Sequence, residues 1–102
     1  MNKKPKYNVD EIRKITIKIA KQYDNIERIF LFGSYARGDA KAKSDIDFRI
    51  DVSRGTGYFK LSEIYGDFEN SFKTKVDLLT TGALNSDFLT KIAKEEILLY
   101  GK

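Results

Sequence analysis

Asp45 and Asp47 stand one residue apart in Asp45-Ile46-Asp47-Phe48-Arg49-Ile50-Asp51, a stretch that alternates strictly between polar and apolar side chains. On an extended strand, residues two apart have α-carbons roughly 6.6 Å apart and side chains on one face. Two carboxylates so placed can converge on one or two divalent ions. A pair of ions roughly 3.5–4 Å apart clamps the attacking and leaving oxygens of a phosphoryl displacement. Upstream, Gly33-Ser34 follows an apolar stretch and opens a segment expected to begin as a helical turn. Glycine lacks the Cβ that would hold a phosphate away from the backbone, and the N–H groups of a helix start, with a serine hydroxyl, can hold phosphate oxygens. Arg37, in the same turn, could neutralise phosphate charge or brace the loop. Taken alone, an Asp-x-Asp pair is more often the wet side of an edge strand, and an isolated Gly-Ser is more often a plain turn. Their succession is what points to phosphate chemistry.

A third acid belongs to the same argument. Asp77 sits inside Lys75-Val76-Asp77-Leu78-Leu79, and an acid within an apolar strand is costly to bury unless it is paired or holds a metal. The chain contains no cysteine and no histidine. Disulfides, zinc sites, Ser-His-Asp triads and histidine bases are therefore excluded. Any metal must be held by oxygen, which favours Mg²⁺ or Mn²⁺, and proton transfer must rest on carboxylate, Lys or Tyr.

The elements that position these residues follow from periodicity. From Asn8 to Tyr23, Val9, Ile12, Ile15, Ile19, Ala20 and Tyr23 recur at helical spacing, and Asn8 with Glu11 resembles a capping box. Ile26 to Phe32 is a short buried strand running into Gly33-Ser34, and Asp45 to Asp51 is a half-buried strand. Ser53-Arg54-Gly55-Thr56-Gly57 is a turn. After it, Leu61, Ile64, Tyr65, Phe68 and Phe72 mark a second amphipathic helix. Lys75 to Leu79 is a third strand, Thr80 to Asn85 a loop, and Ser86 is expected to cap a last helix reaching about Glu95. Ile97 to Tyr100 reads as an extended tail or edge strand. The order helix, strand, strand, helix, strand, helix implies one α/β (α+β) domain over residues 1–102, a small mixed sheet packed by helices.

Composition narrows the setting. At 102 residues, 41% hydrophobic and 33% charged, the chain is a folded domain and not a disordered segment. No apolar run approaches the roughly 18 residues of a membrane span. Met1-Asn2-Lys3-Lys4-Pro5 precedes no apolar stretch that could act as a signal peptide, so a cytoplasmic protein is expected. The net charge of +4 is compatible with a polyanionic ligand. Apart from Lys3, Lys4 and Lys6 the basic residues are interspersed with acids, so the surplus reads as solvated surface and not as a nucleic-acid stripe.

Read together, Gly33-Ser34-Tyr35-Ala36-Arg37-Gly38 followed by Ser44-Asp45-Ile46-Asp47 resembles the signature of the DNA polymerase β-like nucleotidyltransferase superfamily. The form with Ala-Arg-Gly after the Gly-Ser and Ser before the first Asp resembles its smallest members, the minimal nucleotidyltransferases encoded beside HEPN-domain proteins. The likeness extends from Ile26 to Gly101, with Thr81-Gly82-Ala83-Leu84 and Leu98-Leu99-Tyr100-Gly101 matching the end of these proteins. It implies that Asp45, Asp47 and Asp77 bind Mg²⁺ (or Mn²⁺) and carry catalysis. Gly33, Ser34, Arg37 and Ser44 would bind ATP, and AMP would pass to a tyrosine hydroxyl of a HEPN ribonuclease toxin, making this chain the antitoxin.

Larger relatives carry a further domain for the acceptor. Here a second protein, or a second copy of this chain, is expected to complete the site. A catalytically idle binding antitoxin and transfer to a small molecule are the competing readings. The complete set of three acids argues against the first, and the lack of an acceptor domain against the second. Arg49 stands where relatives carry an apolar residue and Asp51 adds an acid; either the two pair with each other or they touch substrate.

Overall fold

The computed structural model describes residues 4–102, and the expectations that fall on Met1, Asn2 and Lys3 lie outside them. Helix α1 spans Val9–Ala20. The Asn8 side chain accepts the Glu11 N–H and the Glu11 side chain accepts the Asn8 N–H, both at 2.8 Å, so two donors left over at the helix start are satisfied reciprocally. Strand β1 (Ile26–Phe32) leads into a single helical turn, α2 (Ser34–Arg37). Strand β2 (Ile46–Val52), helix α3 (Tyr58–Ser71) and strand β3 (Val76–Thr80) follow. A 3₁₀ turn at Thr81–Ala83 occupies part of the expected loop. Helix α4 (Ser86–Ala93) and strand β4 (Ile97–Gly101) complete the chain.

The four strands lie in the order β3-β2-β1-β4. The β1–β2 and β1–β4 pairs are antiparallel and β2–β3 is parallel, so the sheet is mixed. Alternation along β2 sends Ile46, Phe48 and Ile50 to one face, where each is fully buried. Helices α1 and α3 cover that face through Ile12, Ile19, Ile64 and Phe68 in one continuous core. Phe48 meets Phe68 edge-on at 5.0 Å, and truncating either ring would cost about 3–5 kcal/mol. The opposite face carries Asp47, Arg49 and Asp51, with α4 laid over one end of it: Phe88 contacts Phe32 edge-on at 5.8 Å. Among the described residues, no helix is long and apolar enough to cross a membrane.

Two expectations are corrected. Helix α4 is capped by Asn85, whose side chain accepts the Phe88 N–H at 2.8 Å; Ser86 is the first helical residue and not the cap. Asp45 lies one residue before β2 instead of on it, because the ladder with β3 begins only at Ile46, paired with Val76. The chain is still turning at that point, since the Ser44 hydroxyl oxygen accepts the Lys41 N–H at 2.8 Å.

Candidate functional site

Where β1 ends, the register sets Phe32 opposite Asp47. Gly33 is thereby delivered against the Asp47 side chain, with φ 77° and ψ −157°, a region almost closed to residues with a Cβ. On the other side of β2, Asp47 is the register partner of Asp77. This carboxylate pair is therefore set across two strands, while Asp45, off the ladder, reaches toward Lys75 Nζ at 3.7 Å.

Phe32, Gly33, Ser34, Arg37, Ser44, Asp45 and Asp47 line one cleft of about 360 Å³, within the range that takes a small-molecule ligand. Asp77 is not on its lining but adjoins it through Asp47. The far wall comes from α4 and the turn after it: Phe88, Lys91, Ile92 and Glu95. These four were not singled out in the sequence, although residues 88, 91, 92 and 95 recur at helical spacing and so share one face. Ser44 belongs to the cleft while its Oγ also caps the Lys41 turn.

Burial pushes the Asp47 carboxyl up to about 6, helped by the charge of Asp77, a hydrogen bond with Asp77 that only a protonated carboxyl can make, and the charge of Asp45; Arg37 offsets part of this. Arg37 is bound to Asp39 at 3.3 Å and to Glu95 at 3.1 Å, and those bonds hold its guanidinium more firmly protonated than usual. The cleft floor is thus a site of surplus negative charge, whose natural complement is a cation. In the protein alone, no group of three Asp, Glu, His or Cys side chains among the described residues is arranged to hold an ion.

Arg49 and Asp51 do not enter this cleft. Arg49 makes a two-pronged bond to Glu96, at 3.0 and 2.7 Å, donates to Thr81 at 2.8 Å and lies 4.0 Å above the Phe30 ring. Burial raises the Asp51 carboxyl, but hydrogen bonds from Thr81 and Arg28 and the charges of Arg49 and Arg28 outweigh that and hold it below the usual range. The pair Arg49–Asp51, at 3.4 Å, is one edge of this network.

The model of the family described as polymerase beta, nucleotidyltransferase, matches residues 14–102. A protein of Methanocaldococcus jannaschii that carries the name "putative protein adenylyltransferase" is 32% identical over 90 residues, covering 88% of this chain and 92% of that protein. A crystal structure of a toxin–antitoxin with AMP-PNP superposes with a TM-score of 0.75 at 21% identity, over 88% of this chain and 73% of that one. A structure of the tri-AMPylated HEPN toxin of Shewanella oneidensis in complex with its MNT antitoxin superposes at 0.69 and 18% identity, over 91% of this chain and 72% of that one. At those identities the two structural likenesses establish the shared fold.

Proposed function

This chain belongs to the polymerase beta nucleotidyltransferase family, and on that premise we propose that it transfers AMP from ATP to a hydroxyl of another protein. The observation that carries the proposal is the juxtaposition of Gly33, Asp47 and Asp77 at the end of the β1–β2–β3 ladder. The acceptor oxygen forms a bond to the α-phosphorus, the bond from that phosphorus to the β-phosphate bridge breaks, and pyrophosphate leaves. The Gly33-Ser34 backbone and the hydroxyls of Ser34 and Ser44 hold phosphate oxygens, and Arg37 offsets their charge. Asp77 takes the proton of the acceptor hydroxyl.

By donor chemistry Asp45, Asp47 and Asp77 suit a hard divalent cation, Mg²⁺ or Mn²⁺. All three are oxygen donors, Asp47 is already crowded by burial and by the other two charges, and the three would hold the ion once it draws Asp45 in from Lys75. Such an ion supplies charge neutralisation on the phosphates. Positioning and electrostatics account for the rate, as is general for phosphoryl transfer.

The acceptor in this reading is a HEPN-type toxin, its tyrosine modified and its ribonuclease silenced. The support is the adenylyltransferase name of the M. jannaschii relative and the tri-AMPylated toxin held by the MNT antitoxin of S. oneidensis. The chain acts as a single domain in the cytoplasm, and its partner or a second copy completes the acceptor site.

The test is transfer of label from α-labelled ATP, with Mg²⁺, to the protein encoded by the neighbouring gene. Label on that protein, lost with Asp45→Asn, is the expected result. A tight complex without label would replace transfer by neutralisation through contact alone.

A further inference from the structure

Glu95, in the turn that follows α4, has no part in the reaction above. Its Oε2 accepts the Gly33 N–H at 2.6 Å, and its two oxygens accept from Arg37 Nη1 at 3.1 and 3.3 Å. One carboxylate therefore engages both groups assigned to phosphate. A single N–H has one proton to give, and a short bond to a charged acceptor saturates it. Carboxylate and phosphate oxygens ask the same of a guanidinium and an amide: negative charge matched to a fork of donors.

Its placement is built into the fold. Neighbouring Glu96 is bound by both prongs of Arg49, with side chains only 13% and 11% exposed. That anchor on β2 fixes the corner between α4 and β4, so the residue before it is held over Gly33. When Glu95 leaves, Arg37 keeps Asp39 as a partner and remains at the cleft. Glu95 also adds a negative charge to a lining that already contains Asp45 and Asp47, and unlike those two it is assigned no cation to offset its repulsion of an incoming triphosphate.

We infer that Glu95 is an internal stand-in for a phosphate group of the nucleotide, and that the triphosphate binds by displacing it. Glu95 thus sets nucleotide affinity, lowering it in the ground state and re-entering the cradle as pyrophosphate departs. The inference rests on the assignment of Gly33 and Arg37 to phosphate.

The test is calorimetric titration of Mg-ATP, without acceptor, into the wild type and into Glu95→Ala and Glu95→Gln. The alanine variant removes the stand-in, and the glutamine variant keeps its shape without its charge. Tighter binding by Glu95→Ala, about fivefold or more, is expected. If that variant does not fold, Glu95→Gln decides by the same criterion. Unchanged or weaker binding, with the wild type still binding, overturns the inference and makes Glu95 a brace for Arg37. No binding by any of the three overturns it together with the phosphate assignment beneath it.

Discussion

The Asp47 carboxylate lies where a side chain on Gly33 would have to begin: a β-carbon built on Gly33 falls 2.0 Å from Asp47 Oδ2. The glycine is required twice, for its positive φ and for the space. Gly33→Ala is expected to cost about 1–3 kcal/mol in backbone strain alone and to push Asp47 off its place beside Asp77. Urea unfolding should record the loss of stability, and the transfer assay should fall to background in protein that is still folded. A variant with wild-type stability and activity would contradict this geometry.

Asp47→Asn should separate stability from activity. The carboxyl titrates at about 6 in the folded protein against 3.8 for the unperturbed group, so its ionised form is held at a cost. That cost is absent below about pH 4 and complete above about pH 7. In the presence of a chelator the variant is therefore expected to be more stable than the wild type at pH 7.5, on the order of 1–2 kcal/mol once solvent access is discounted. The advantage should shrink as the pH falls through 6 toward 4. Thermal unfolding across that range measures it, and transfer should be lost at every pH.

Breaking the Arg49–Glu96 pair tests the corner that carries Glu95. Both side chains are largely buried, and removing one partner strands the other. Arg49→Met is expected to cost about 3 kcal/mol, and adding Glu96→Gln should return part of it. A denaturant double-mutant cycle reads the coupling; strictly additive effects would mean that the pair contributes nothing.

Thr16 offers a gain instead. It is fully buried on α1, and its hydroxyl has no hydrogen-bond partner among the described residues. Thr16→Val replaces that hydroxyl by a methyl of the same shape and should stabilise the protein by about 1 kcal/mol, raising Tm by about 4–8 °C. A lower Tm would show that the hydroxyl is satisfied in solution.

Local pattern was legible in the sequence where one element decides the outcome. The reciprocal bonds of Asn8 and Glu11 follow from spacing alone, and the alternation of β2 predicts that Ile46, Phe48 and Ile50 face the core. The family resemblance placed Asp45, Asp47 and Asp77 in one set. What escaped is set by register between distant segments. That Asp77 is the partner of Asp47 depends on how β3 docks along β2. The Arg49–Asp51 contact was one of two readings open at the start, but the stronger Glu96 bond spans 47 residues. The Glu95–Gly33 bond spans 62, and nothing local to either residue announces it.

The central strand β1 has its two neighbours at very different distances along the chain: β2 begins soon after it, whereas β4 includes Tyr100, the partner of Ile29. During synthesis the β1–β2 hairpin, with Gly33 and Asp47 already side by side, can therefore form long before the wall of α4 and the closing strand leave the ribosome. Contacts of such long range form late and slowly. A nascent chain would present the acidic floor before Glu95 and Lys91 stand over it, so the restraint that Glu95 places on nucleotide binding arrives only after α4 has been made.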